Sequence, residues 1–339
     1  MKKVFALALC ILMAVSLFAG CNANTQTKDD AVKTGLAVIT STKSSKDASA
    51  DADGVGQVDS VVVAVNVDKN GKIVACKIDT AQTKIKFSAD GKITTNLATE
   101  FLSKQSLKED YDMKKASGIG KEWYEQANAF AEYVTGKTIN EVKGIKLNEQ
   151  GVPTEADLAS SVTIHVNDYI KAIEKAVTNA KDSGAKASDK LSLGVITNAG
   201  KSADATAEKD GVAQAYTFYA AVNFSSDGKI TSCTIDASQT DVTFDTTGKI
   251  TSDINATNYQ TKVERGDAYG MKKSSGIGKE WYEQCEAFAK YTVGKTAAQV
   301  AGIAINEKGA PADADLASTV TVSVADMIKV IEIASENAK

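Results

Sequence analysis

The stretch Ser117-Gly118-Ile119-Gly120-Lys121-Glu122-Trp123-Tyr124-Glu125-Gln126 recurs, residue for residue, as Ser275 to Gln284. Met113-Lys114-Lys115 precedes the first copy and Met271-Lys272-Lys273 the second, an offset of 158 (113 to 271). Upstream, Gly71-Lys72-Ile73 matches Gly228-Lys229-Ile230, Gln82 matches Gln239, and Gly91-Lys92-Ile93 matches Gly248-Lys249-Ile250, at an offset of 157 (71 to 228). One residue is therefore gained between the blocks. Leu36 to Thr40 has its echo in Leu193 to Thr197. A period this long is too large for a solenoid unit and predicts two tandem copies of one domain, 31–180 and 188–339. The small, polar segment 181–187 between them reads as a linker.

Within a unit, Val58 to Val67 is β-branched and runs into Asp68-Lys69-Asn70-Gly71, after which Lys72 to Ile78 continues as a second strand of a hairpin. Ile85 to Phe87, a turn at Asp90-Gly91 and Ile93 suggest another strand pair. Lys121 to Val134 sets Trp123, Ala127, Phe130, Ala131 and Val134 at helical spacing, with Gly136 as the stop. Lys137 to Val142 predicts a short helix. Asp168 to Ala180 predicts another, capped by Asn167 or Asp168. Strands followed by helices indicate an α+β fold, each copy an antiparallel sheet packed with helices.

Composition narrows the function. The chain has 39 Lys plus Arg against 43 Asp plus Glu, and Arg265 is the only arginine. An acidic surface poor in guanidinium forks does not attract nucleic acid. Met1-Lys2-Lys3, an apolar run from Val4 to Ala19, and Leu17-Phe18-Ala19-Gly20-Cys21 read as a signal peptide over 1–20 with a lipoprotein cleavage box. Cys21 is then the lipidation site. Its diacylglycerol, at about 0.8 kcal/mol per buried methylene, holds the protein on the outer face of the cytoplasmic membrane. Residues 21–30 are polar and aperiodic, a flexible tether. Cys76, Cys233 and Cys285 remain, an odd number that cannot form a complete disulfide framework; Cys76 and Cys233 sit at matching strand positions and read as small buried hydrophobes. No metal site is spelled by these cysteines and the lone His165, which Ser323 replaces in the second copy.

The chain carries no Walker loop, dinucleotide glycine fingerprint, zinc-type His-Glu-His pattern or nucleophile elbow. Gly118-Ile119-Gly120 is read either as a flexible lead-in to the Trp123 helix or as a phosphate cradle. One pattern recurs in both copies: Asp157-Leu158-Ala159-Ser160-Ser161-Val162-Thr163 and Asp315-Leu316-Ala317-Ser318-Thr319-Val320-Thr321. It resembles the attachment sequence of the FMN-binding domain family, in which a magnesium-dependent flavin transferase joins a threonine hydroxyl to the flavin through a phosphoester. The order Gly-Lys-Ile, Ile-Asp, Gln, a helix with Gly-Lys-Thr, Asp-Leu-Ala-Ser and a final helix is similar to that family along both units. The double unit behind a lipoprotein box resembles the pheromone-precursor lipoprotein A type used in extracellular electron transfer.

The resemblance implies covalent FMN on Thr163 and Thr321, with Asp157 and Asp315 as the acidic positions and Ser160 and Ser318 as the hydroxyl positions. The family prefers glycine and alanine before the threonine, where this chain has Ser161-Val162 and Thr319-Val320. It implies as partners a flavin transferase, a membrane electron donor and an extracellular acceptor, and an electron carrier rather than a turnover enzyme. Trp123 and Trp281, with Tyr124 and Tyr282, are candidates for stacking on the flavin, while a tryptophan on an amphipathic helix reads more readily as core. Lys114 and Lys115, or Lys272 and Lys273, are candidates to balance its charge, although lysines in such positions are more commonly plain solvated surface residues. Met113 and Met271 read as packing residues. The alternative is a cofactor-free surface binding or structural lipoprotein, whose leader could release a signalling peptide from Leu12 to Gly20; the twin motif is then a turn leading into a strand.

Overall fold

Val62, Val63, Ala64 and Val65 are all fully buried, although successive side chains of a strand point to opposite faces. A strand apolar on both faces needs cover on both sides, and the rest of the architecture supplies it. The computed structural model describes residues 30–338. The signal peptide expected at 1–20, Cys21 and the tether up to residue 29 lie outside the described residues. From Ala31 onward the chain forms one compact unit.

The strands are β1 (Ala31–Ser41), β2 (Gly54–Val67), β3 (Ile73–Phe87), β4 (Phe101–Leu102), β5 (Lys181–Lys186), β6 (Lys190–Asn198), β7 (Gly211–Phe224) and β8 (Ile230–Phe244). The helices of the first half are α1 (Lys104–Leu107), α2 (Trp123–Val134), α3 (Ile139–Lys143), α4 (Ala156–Ala159) and α5 (Asn167–Asn179). Those of the second are α6 (Lys262–Arg265), α7 (Trp281–Thr292), α8 (Ala297–Ala301), α9 (Ala314–Ala317) and α10 (Ala325–Asn337). Two antiparallel four-stranded sheets form, in the orders β3-β2-β1-β5 and β4-β6-β7-β8. The fold class is α+β.

On its outer face each sheet meets helices. Val63, Val65, Ile73 and Ile78 pack with Trp123, Phe130, Ile173 and Ala176, and Ala220, Val222 and Ile235 pack with Phe288, Val330 and Ile331. The inner faces meet each other. Leu36, Val38, Val62 and Ala64 pack with Leu193, Val195, Tyr219 and Ala221, and Phe87 stacks on Phe244 with ring centroids 4.0 Å apart and planes 2° from parallel. The layers therefore run helices, sheet, sheet, helices. At one end of the inner layer Asn66 Nδ2 donates to Asn223 Oδ1 (2.7 Å). Asn223 Nδ2 donates to Thr34 Oγ1 (2.9 Å), which donates to Asn66 Oδ1 (2.9 Å). Reciprocal backbone bonds join Ala48 N to Gly248 O (2.8 Å) and Ala205 N to Gly91 O (2.8 Å).

The local signals hold where they are local. Asp68 Oδ1 accepts from Asn70 N (2.8 Å) and Lys72 N (2.9 Å), and Gly71 takes φ +76, closing the β2–β3 hairpin at the expected turn. The structure departs from the expected pair of separate domains and their elements at four places. Residues 73–87 are one continuous strand, and Ile93 returns only as a single bridge to Phe87. Residues 181–186, expected as a linker, form β5 on the edge of β1. β4 leaves the first half to pair with β6. The N-cap of α5 is Val166, with no side-chain cap bond, rather than Asn167 or Asp168.

Helix α5 lies so close on β1 that a Cβ at Gly35 falls 1.9 Å from the Ala176 carbonyl oxygen. In the second half Ser192, 157 residues on, donates its hydroxyl to Ala334 O (2.6 Å). Gly35→Ala is expected to destabilise the fold by about 1–3 kcal/mol, since helix and strand must separate to admit the methyl group. Urea unfolding checks this, and the midpoint should fall.

Candidate functional site

Thr163 and Thr321 are positioned by valines that point the other way. Helix α4 is one turn, and after it Val162 N donates to Leu158 O (2.9 Å). Val162 is fully buried in the outer core, as is Val320 in the second half. The bulk that replaces alanine in the resembled motif thus faces inward and leaves the threonine at the rim. Thr163 is half-buried and Thr321 exposed.

Each threonine is held by a glutamine that the sequence reading did not single out. Gln126 Oε1 accepts from Thr163 N (2.8 Å) and Thr163 Oγ1 (3.1 Å). Its Nε2 donates to Ser117 Oγ (3.1 Å) and to Lys121 O (3.2 Å). Gln284 repeats the arrangement with Thr321 N (2.8 Å), Thr321 Oγ1 (3.1 Å), Ser275 Oγ (3.1 Å) and Lys279 O (3.2 Å). Both glutamines are fully buried. The backbone N–H of the threonine fixes which amide atom is oxygen, so the threonine hydroxyl is the donor. One amide therefore ties the threonine motif to the Ser-Gly-Ile-Gly-Lys loop, more than thirty residues away in sequence.

That loop is pinned to the first turn of its helix. Glu122 accepts from Met113 N (2.9 Å) and Lys114 N (3.1 Å), and Glu280 from Met271 N (2.9 Å) and Lys272 N (2.8 Å). The N–H groups of Ile119 and Lys121 turn toward Ser117 Oγ (both 3.4 Å), so the loop is a lead-in to α2 and not an outward-facing cradle of donors. Beside Gly118, Gly120, Gly276 and Gly278 an added Cβ would meet nothing within 4 Å, so the loop borders open space. Lys114, Lys115, Lys272 and Lys273 are exposed there.

The other expected residues are placed differently. Asp157, Asp315, Ser160 and Ser318 are exposed. The serine hydroxyls donate to the backbone, Ser160 to Asp157 O (3.2 Å) and Ser318 to Asp315 O (2.6 Å), and make no bond to the threonines. Trp123 and Trp281, candidates for stacking on a flavin, are 2% and 3% exposed within the helix–sheet cores. Trp123 Nε1 donates to Tyr169 OH (3.0 Å). Neither indole offers a free face, because the helices that carry them press them onto the sheets. Tyr124 and Tyr282 are half-buried and bond Glu109 (2.9 Å) and Asp267 (3.2 Å). Cys76 is buried as expected and Cys233 only half-buried; desolvation pushes both thiols up to about 12, which removes their nucleophilicity near neutral pH. His165 is exposed, with Nδ1 against Gln150 O.

Two further carboxylates, seen in the sequence only as the aspartate of the recurring Ile-Asp pair, are buried. Asp79 Oδ1 accepts from Thr80 N (2.6 Å) and Gln105 N (3.1 Å), and Asp236 Oδ1 from Ala237 N (2.7 Å) and Val263 N (3.1 Å). They anchor α1 and α6 to the sheets. Burial raises Asp79 to about 6 and Asp236 to about 7.

No family model matches the chain, and no solved structure matches it. A curated protein named chlorophenol reductase, from Desulfitobacterium hafniense, is 54% identical over 46 residues, which is 14% of this chain and 14% of that protein.

A carboxyl group whose folded pKa lies above its unfolded value binds more protons when folded, so its contribution to stability falls as pH rises. For Asp79 and Asp236 the loss begins above the ordinary aspartate value of 3.8 and is complete above about 6 and about 7. Asp79→Asn retains the two backbone bonds and removes the buried charge. Its stability should vary less than the parent's between about pH 4 and pH 8, a difference on the order of 3 kcal/mol. Denaturant titrations across that range check the slope.

Proposed function

We propose that the chain is a lipid-anchored surface flavoprotein: two tandem copies of one domain of FMN-binding type, behind a lipoprotein signal peptide with Cys21 as the anchored residue. Each copy carries FMN as a phosphoester, on Thr163 and on Thr321. The observation that carries this reading is the threonine–glutamine–serine constellation, built twice with the same partners and distances agreeing to 0.1 Å.

The residues present suit the group. The modified atom must be an alcohol oxygen at the surface with room beside it, and both threonines are at the rim of their halves. Gln126 and Gln284 take the hydroxyl proton in a hydrogen bond, which leaves the oxygen lone pairs turned outward. The open glycine loop gives space for a phosphate, and exposed lysines supply positive charge next to it. When bound, the flavin would supply reversible electron uptake at the cell surface. The chain's own share is to hold the attachment oxygen, keep the loop in place and leave the activation of the phosphoryl group to the transferase. Outside the membrane a dissociated cofactor is lost by diffusion, and a covalent bond removes that loss whatever the binding constant. A membrane electron donor on one side and an extracellular acceptor on the other complete the relay.

Co-expression with a flavin transferase, followed by peptide mass spectrometry, tests the reading. A flavin mass is expected on the Thr163 and Thr321 peptides. Thr163→Ala should abolish the first and spare the second. Gln126→Leu frees the threonine from its glutamine and should lower modification of Thr163 about tenfold or more relative to Thr321 in the same chain. Unmodified masses at both peptides of the parent protein, with active transferase present, contradict the proposal; a colourless chain that instead binds an envelope component would support the cofactor-free alternative.

A further inference from the structure

On the outer face of the first sheet, the apolar row of Val65 and Val63 runs on through Val61 to Asp59, and on the neighbouring strand Ile78 is followed on the same face by Thr80 and Gln82. A cavity of about 510 Å³ opens where the row turns polar, bounded further by Lys43, Lys104, His165 and the first turn of α5. This volume lies within the range of small-molecule sites.

The charges around it are unevenly matched. Lys171 is paired with Asp168 (2.8 Å), and Asp59 accepts both its bonds from Gln57 Nε2 (3.1 and 2.8 Å). Among the described residues Lys43 and Lys104 form no salt bridge; Lys104 Nζ lies over the rings of Tyr111 (4.5 Å) and Trp123 (5.4 Å), with the buried Asp79 carboxylate as its longer-range counter-charge. The Thr80 hydroxyl, in a residue 4% exposed on the cavity wall, makes no hydrogen bond of good geometry and has the Tyr169 hydroxyl as its polar neighbour. Helix α5 begins here with no side-chain cap, and Asp168 in its first turn offsets part of its dipole.

The second half shows that the cavity is not a by-product of the fold. At the corresponding positions Asp59 becomes Tyr216, Thr80 becomes Ala237, His165 becomes Ser323 and Lys43 becomes Gly200. Lys262, the counterpart of Lys104, is 4% exposed and donates to Tyr216 OH (2.6 Å). Its Nζ sits among the rings of Tyr216 (4.3 Å), Tyr269 (4.8 Å) and Trp281 (5.0 Å). There the chain's own lysine and tyrosine fill the space that the first half leaves open.

We propose that this cavity of the first half binds a small dianion that presents carboxylate or phosphate oxygens. Lys104 and Lys43 supply the charge, Thr80 and Gln82 the hydrogen bonds, and Asp59 with Asp168 keep the wall too nearly neutral for a polyanion. The site does not depend on modification of Thr163.

Equilibrium dialysis of the flavin-free chain with radiolabelled inorganic phosphate, and separately with radiolabelled succinate at matched ionic strength, tests the site. Saturable binding of one anion per chain is expected in at least one arm, and the stronger arm identifies the ligand as phosphate or carboxylate. Lys104→Met and Asp59→Tyr, the latter copying the second half, should each weaken binding about tenfold or more. Thr163→Ala and Lys329→Met, the second-half counterpart of a cavity lysine, should leave it unchanged. Thr80→Val, which preserves shape, stands in if Asp59→Tyr fails to fold by circular dichroism. Absence of saturable binding in both arms, or binding indifferent to Lys104→Met, overturns the proposal.

Discussion

Phe87 and Phe244 stack between the two sheets, and around them the inner faces of β1 to β3 and β6 to β8 exclude water from each other. Apolar burial of this kind is worth roughly 25 cal/mol per Å² removed from water. Neither sheet can keep that share alone, because the helices cover only its outer face. The two halves are therefore obliged to fold against each other. The crossed-over pieces follow from the same requirement: β4 finishes the second sheet and β5 the first. At one end of this apolar layer the Thr34, Asn66 and Asn223 bonds fix the relative register, since a displaced pairing leaves buried amides unsatisfied.

With most of both sheet faces consumed by packing, the openings described lie where the helix layers end. There the two halves keep one device and change another. The glutamine that ties a rim threonine to a glycine loop is the same in both, to within 0.1 Å. The surroundings of Lys104 and Lys262 are not: one lysine stands in an open polar cavity and the other is enclosed by three rings. Like scaffolds thus hold two rim threonines by the same bonds and differ in one cavity.

How much of this was legible in the sequence depends on the range of the interaction. The Asp68–Gly71 turn and the Trp123 and Asp168 helices rest on local geometry and period, and they were readable. The inner β-on-β layer was not, because a strand buried on both faces by one helix layer and one sheet looks the same in sequence as any continuous apolar run. Lys181 to Lys186 has the composition of a linker and is extended only because the edge of β1 is there to pair with it. At the site, the threonine motif announced itself by recurring. Gln126 and Gln284 were visible only as polar positions inside an otherwise amphipathic helix, and a buried amide on the core face is a signal that could have been used. Trp123 and Trp281 carried two readings, and burial decides for the core.

The proposed electron-carrying role rests on two rim alcohols bearing a coloured group. The most direct measurement is the visible absorption spectrum of the protein isolated from its native cells, taken before and after denaturation and dialysis. The account predicts an oxidised-flavin band that stays with the unfolded chain. A chain transparent to visible light from the start contradicts it.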